Sequence, residues 1–195
     1  YIYEKKKLTT EQLKEENFTN DQIDAIKNYD GSEGLTLRAS PSISATLRLN
    51  SFYYKAKENR TYAGATFKGH WNGSPFYKMQ DNTAIGITGS KARFARLGSS
   101  NYVKHNNGTI YYNTNNKYYS MAGVAYSFGI CDVNRKIIKE FSMTYNAIAD
   151  GKVTVMDYGA SYAHIKEGIT GVSLSVGVSA SGGSLGLSFS IGKKA

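Results

Sequence analysis

The sequence has few of the residues that cross-link a chain, ligate metals or interrupt strands: its 195 residues include one cysteine, two prolines and three histidines. The single cysteine, Cys131, excludes an internal disulfide and a cysteine-based metal cluster. The histidines His70, His105 and His164 show neither HExxH spacing nor i, i+4 spacing, so no metal ion or other cofactor is predicted. No apolar run approaches the roughly 20 residues that a membrane-spanning helix needs.

Motifs of common enzyme classes are also absent. The chain contains no GxSxG nucleophile elbow and no phosphate-binding P-loop. Cys131 follows an apolar strand, which favours an inert buried thiol over a Cys–His nucleophile. A jelly-roll glycoside hydrolase is an alternative, because small basic tyrosine-rich β proteins include xylanases, but it needs two carboxylates roughly 5–9 Å apart across a cleft. Only Glu140 and Asp157 fall within predicted strands, so we predict that the protein is not an enzyme.

The chain is rich in tyrosine and glycine, with 16 and 20 residues respectively, and its charge is unevenly distributed. Tyr, Ser, Thr and Asn in short alternating runs indicate an all-β protein of the secreted or surface type. Residues 1–34 contain five lysines and eight acidic residues, a net charge of −3. Because the whole chain has a net charge of +9, residues 35–195 carry +12. A basic β region favours anionic partners, although charge of this size also serves solubility alone.

Residues 1–34 form an acidic helical arm with two helix start signals. Thr9 and Gln12, and again Thr19 and Gln22, have the spacing of a capping box, and each box is flanked by an apolar staple pair. The apolar residues of this arm are predicted to pack on the β domain: Leu13, Phe18, Ile23 and Ile26. The alternative is an acidic pro-segment that covers a basic site.

Residues 35–195 are predicted to form nine or ten strands in a two-sheet antiparallel β-sandwich, with a closed barrel as the alternative. In the strand at 61–71, Tyr62, Ala65 and Phe67 are the expected inward residues. Residues 109–119 form a near-palindrome that predicts a tight hairpin with facing tyrosines. Asp150-Gly151 predicts another hairpin turn.

The C-terminal segment 171–192 contains two strictly alternating runs around Gly182-Gly183, which predicts a β-hairpin with a face of serine and glycine. Each run is nine residues long, close to the 9–11 or so that a membrane-crossing strand needs. The hairpin is therefore either packed in the sandwich core or part of a pore, which only an oligomer would close. The membrane candidates are its apolar residues: Val172, Leu174, Val176, Val178, Leu185, Leu187 and Phe189.

Four short motifs carry a resemblance to a group of proteins. They are HWNGSP at 70–75, AIGI at 84–87 following Asp81, YAH at 162–164, and FTNDQI at 18–23. Together they resemble poorly characterised secreted β-rich proteins of Gram-positive bacteria. The resemblance implies export and a β-rich fold, and it carries no known active site.

The sequence thus predicts a secreted or cell-surface protein that binds without catalysis. The expected partner is an anionic lipid, teichoic acid or glycan of the cell envelope; nucleic acid is disfavoured because no RNA- or DNA-binding motif is present. The alternative is a membrane-damaging or pore-forming toxin that uses segment 171–192. Aromatic stacking and positive charge are assigned to eight candidate ligand-binding residues: Trp71, Lys91, Arg93, Arg96, Tyr111, Tyr112, Tyr118 and Tyr119.

Overall fold

The computed structural model describes residues 1–31, 41–78, 80–89, 92–112, 116–119, 123–131, 136–164, 174–181 and 184–191. Three short helices come first: α1 (Ile2–Lys6), α2 (Thr10–Glu15) and α3 (Asn20–Asn28). Both predicted capping boxes are present, with Thr9 and Thr19 as N-caps and the Gln12 and Gln22 side chains bonded back to them. Helix α1 was not predicted, since nothing in the sequence caps it.

Eleven strands follow among the described residues: β1 (Ser42–Lys55), β2 (Arg60–Asn72), β3 (Gln80–Thr88), β4 (Ala95–His105), β5 (Ile110–Tyr112), β6 (Asn116–Tyr119), β7 (Gly123–Gly129), β8 (Ile138–Asp150), β9 (Asp157–His164), β10 (Leu174–Ser181) and β11 (Ser184–Ile191). Sheet I has the order β1-β2-β8-β4-β5, and sheet II has the order β6-β7-β3-β9. Every pairing is antiparallel. The all-β sandwich is confirmed, and within the described strands neither sheet closes into a barrel.

The core lies between the two sheets, where alternate residues of each central strand meet. Ala63, Ala65 and Phe67 of β2 pack with Phe141 and other apolar side chains of sheets I and II. The expected inward position of Tyr62 is wrong, because a strand has a period of two and residues 62 and 65 lie on opposite faces. Tyr62 is on the outer face, where its ring stacks on that of Tyr53 at 5.3 Å.

Strand β3 is buried on both faces from Asp81 to Ile87. The residues on its second face are small, namely Asn82, Ala84 and Gly86, so another backbone can approach closely. The β10–β11 hairpin comes within 8 Å of β3 by Cα distance. The predicted hairpin itself is confirmed by the register from Leu174↔Ile191 to Ser181↔Ser184.

The helical arm is docked on the β domain, as predicted. Leu13, Phe18, Ile23 and Ile26 form one buried cluster with Phe76, which lies between β2 and β3. Hydrogen bonds fix the contact, including those from Gln22 Nε2 to the Ser74 carbonyl (2.8 Å) and from the Tyr1 hydroxyl to the Phe76 carbonyl (3.1 Å). The expected domain boundary at residue 34 lies outside the described residues.

Two predicted hairpins are wrong for the same reason. The tyrosine pairs of the near-palindrome do not face each other: β5 pairs with β4 in sheet I, whereas β6 pairs with β7 in sheet II. Likewise β8 and β9, on either side of Asp150-Gly151, belong to different sheets. In both places long-range pairing has overridden a local turn signal.

Candidate functional site

The eight predicted ligand-binding residues do not form one patch. Trp71 is only 5% exposed and packs with Ile130 and Ile137, so its ring is not a stacking platform. Lys91 and the side chain of Tyr118 lie outside the described part of the structure. Trp71 is predicted from the sequence to stack on a ligand at the end of a strand, but it is the penultimate residue of β2 and faces inward.

The remaining predicted residues divide into two groups at opposite ends of β4. At its start, the exposed Arg96 guanidinium lies 4.2 Å from the ring centroid of Tyr119 on β6, and Arg93 is exposed nearby in the chain. At its end, Tyr111 and Tyr112 pair with Val103 and Tyr102. Tyr102 is six residues further along the strand than Arg96, a span of about 20 Å at the usual rise.

Sheet I has more strands than the other described sheets, and its outer face is an open, regular surface. It consists of the outward alternate residues of the five strands and is mainly Ser, Thr, Asn and Gly in its middle. The hydroxyls of Thr66 and Thr144 are hydrogen-bonded at 2.8 Å, and Asn50 donates to Thr66 at 2.8 Å. Such a surface offers many donors and acceptors in a fixed geometry.

Aromatic side chains lie at two edges of the outer face of sheet I. Tyr53 and Tyr62 are stacked with an interplanar angle of 12°. Tyr102 and Tyr112 have ring centroids 6.1 Å apart. Tyr53 and Tyr112 are 53% and 69% exposed, so their rings are accessible to a partner.

An ionic network anchors the Tyr102 edge. The Tyr102 hydroxyl donates to Glu140 at 2.7 Å, and Lys68 Nζ lies 3.0 Å from the other carboxylate oxygen. Burial raises the pKa of Glu140, but the hydrogen bonds from Tyr102 and Lys68 outweigh it and leave the pKa below its ordinary value. The same contact raises the pKa of Lys68.

The outer face of sheet I carries excess positive charge. Arg48, Lys68 and Lys104 project from β1, β2 and β4, against Glu140 of β8. At the other end of the face Asp150 of β8 is paired with Arg60 of β2. The face therefore combines hydrogen-bonding groups, exposed rings and excess positive charge. No single sequence motif marks it, because its residues alternate along five strands.

Sequence reasoning also missed a buried polar cluster beneath Trp71. Asp81 is fully buried, and its carboxylate oxygens accept from the Tyr162 hydroxyl and contact His164 Nδ1 at 2.7 Å. Burial, and then the negative charge of Asp81, raise the pKa of Tyr162 well above its ordinary range. The Trp71 and His164 rings meet edge to face at 5.1 Å. The motifs behind the resemblance contain these residues but indicate no role for them.

The positions of the described residues bear on the glycoside hydrolase, on metal binding and on a membrane-spanning helix. Glu140 is in sheet I and Asp157 is in sheet II, with outward positions on opposite sides of the sandwich, so they do not flank one cleft. Among the described residues, no group of three or more His, Cys, Asp or Glu side chains is placed to hold a metal ion. None of the described helices is long and apolar enough to cross a membrane.

Comparison with protein-family models, with curated proteins and with solved structures finds no match for this chain.

Proposed function

We propose that the protein is a secreted or cell-surface binding protein that recognises an anionic or carbohydrate component of the cell envelope through the outer face of sheet I. The observation that carries this proposal is the combination on one open face of Ser, Thr and Asn groups, two tyrosine pairs and excess positive charge. Of the described residues among the eight predicted from sequence, only Tyr112 lies on this outer face, because Tyr111 is paired with the core residue Val103 and lies on the other face of sheet I.

The chemistry of this face suits a phosphate-bearing or acidic glycan. Sugar hydroxyls need hydrogen-bond partners, which Thr66, Thr144 and Asn50 supply, while sugar rings stack on exposed aromatic faces such as Tyr112. Arg48 and Lys104 would attract phosphate or carboxylate groups, and this attraction weakens as salt rises. Teichoic acids combine sugar or polyol hydroxyls with phosphates, so they are the preferred ligand class.

Co-sedimentation with insoluble cell walls tests the proposal. Walls that retain their teichoic acid are compared with walls stripped of it, using the wild type, Tyr112→Ala and Tyr53→Ala. Tyr158→Ala is the matched control, because Tyr158 is 37% exposed on β9 of sheet II. We expect the two sheet I variants to bind about tenfold more weakly, the order of one lost stacking contact of ~1.4 kcal/mol. Equal binding by all three variants would contradict the proposal.

A pore-forming toxin is the second candidate, and one observation favours it. Strands β10 and β11 form a sheet of their own, without ladder bonds to the other described strands. A hairpin paired only with itself can leave the body of the protein without breaking sheet hydrogen bonds. Each strand is eight residues long, slightly short of the roughly 9–11 that span a bilayer.

Release of a dye from anionic liposomes separates the two candidates. On the pore reading, wild-type protein releases the dye and Val176→Asp abolishes release while the protein stays folded. On the binding reading, the wild type releases no dye. The side chains of the apolar residues that the pore would use lie outside the described part of the structure.

A further inference from the structure

A cavity of about 190 Å³ lies where the helical arm meets the β domain. Tyr1, Lys5 and Glu16 of the arm line one side, and Lys78 and Cys131 of the β domain line the other. The cavity therefore exists only with the arm docked. Cys131 is half-buried rather than sealed in the core, so the prediction of a buried thiol is wrong in this respect.

The amine of Lys78 has an unusual environment in this cavity. Its Nζ donates to the Glu16 carbonyl oxygen at 2.6 Å and lies 3.6 Å from the ring centroid of Phe18. The Glu16 carboxylate is instead ion-paired with Lys5. The Lys78 amine thus contacts a backbone dipole and a ring face, and Cys131, Glu16 and Lys5 act on it electrostatically. Among the described residues no carboxylate forms an ion pair with it.

We propose that this cavity binds a small uncharged aldehyde and that Lys78 Nζ holds it covalently as an imine. The unprotonated amine attacks the carbonyl carbon, a proton moves from nitrogen to the resulting oxygen, and loss of water leaves the C=N bond. No oxidant or reductant takes part in this step. Lys5 and Glu16 neutralise each other on the arm side of the cavity, which favours an uncharged molecule. The proposal is independent of binding at the outer face of sheet I.

The environment of Lys78 keeps its amine available for this reaction. Burial lowers the pKa of Lys78 to about 7, so roughly half of the amine is unprotonated at neutral pH. Lys55 and Lys68 are opposite cases, because hydrogen bonds to Glu58 and Glu140 raise their pKa values. At an ordinary pKa near 10.4, only about one lysine in 2,500 is unprotonated at pH 7.

Reductive trapping with glycolaldehyde tests the proposal on the intact chain. Protein at pH 7 is treated with a low concentration of glycolaldehyde and sodium cyanoborohydride, and the hydroxyethylated lysines are located by peptide mass spectrometry over time. The α-amino group is counted separately because its ordinary pKa is near 8. The variants are Lys78→Met and, as a matched control, Lys57→Met, because Lys57 is exposed in a single 3-10 helical turn, Ala56–Glu58, between β1 and β2.

We expect Lys78 to be labelled at least tenfold faster than Lys55 or Lys68, with a rate that rises through a midpoint near pH 7. The fast label should vanish in Lys78→Met and persist in Lys57→Met. Labelling of Lys78 at the same rate as exposed lysines, or a midpoint near pH 10, would overturn the proposal. Both of these readouts come from the wild-type protein, so they do not depend on whether Lys78→Met folds.

Discussion

Removal of one phenolic oxygen should have opposite effects at two tyrosines of the core. The Tyr162 hydroxyl donates to the fully buried carboxylate of Asp81, which it shares with His164. The Tyr145 hydroxyl is also buried, but it has no hydrogen-bond partner among the described residues. The substitution Tyr→Phe is chemically identical at the two sites, so any difference reports the surroundings of the oxygen.

The expected free energies follow from these surroundings. A hydrogen bond to a charged group contributes about 1.5–3 kcal/mol, and a buried carboxylate that loses a donor adds a desolvation penalty, so Tyr162→Phe should destabilise the protein by about 2–4 kcal/mol. Tyr145→Phe removes a polar atom that was desolvated without compensation. It should be neutral or stabilise the protein by up to about 1 kcal/mol.

Urea unfolding followed by far-UV circular dichroism at pH 7 measures both values. The slope of the free energy of unfolding with urea should be the same for both variants and the wild type, so that the midpoints alone report stability. If Tyr162→Phe costs no more than Tyr145→Phe, then Asp81 does not depend on Tyr162 and our account of the buried cluster is wrong.

Three further predictions concern other parts of the fold. Thr19→Ala removes the N-cap of α3 and should lower the free energy of unfolding by about 1 kcal/mol in urea, whereas no loss would mean that the cap is dispensable. Gly69→Ala would push its Cβ into the buried ring of Phe141 and should lower the free energy of unfolding by about 1–3 kcal/mol in thermal denaturation. In the control Gly98→Ala the new Cβ meets no atom within 4 Å, so stability should hardly change. Similar melting temperatures for the two variants would refute this prediction. The pKa of Lys78 is lowered to about 7, so the unfolded chain binds more protons than the folded chain between about pH 7 and 10. The free energy of unfolding of the wild type, relative to that of Lys78→Met, should therefore rise with pH across that window. A difference that stays constant with pH would contradict this prediction.

The features that could be predicted from the sequence are those encoded by neighbouring residues. Thr19 and Gln22 are three residues apart, and the capping box they form needs nothing outside α3. Alternation in 174–181 and 184–191 likewise specifies two strands that pair with each other, while the predicted Gly182-Gly183 turn lies outside the described residues. The sandwich class follows from the number of such strands.

Features that depend on distant partners could not be predicted. The sequence around Tyr112 and Tyr119 has the local pattern of a hairpin, yet the two strands have partners in different sheets. Trp71 is followed by turn-forming residues (72–75), but its position in β2 directs its side chain into the core. Asp81 and Tyr162 are 81 residues apart and meet only because β3 and β9 pair.

The central claim is that the outer face of sheet I binds a cell-envelope polymer. The most direct test is to titrate isotope-labelled protein with purified teichoic acid and follow its backbone amide resonances. We predict that the perturbed amides map to β1, β2, β4 and β8, in particular around Thr66, Thr144 and Tyr102, and that added salt weakens the effect. Perturbations confined to the helical arm or to sheet II, or none at millimolar teichoic acid, would contradict the claim.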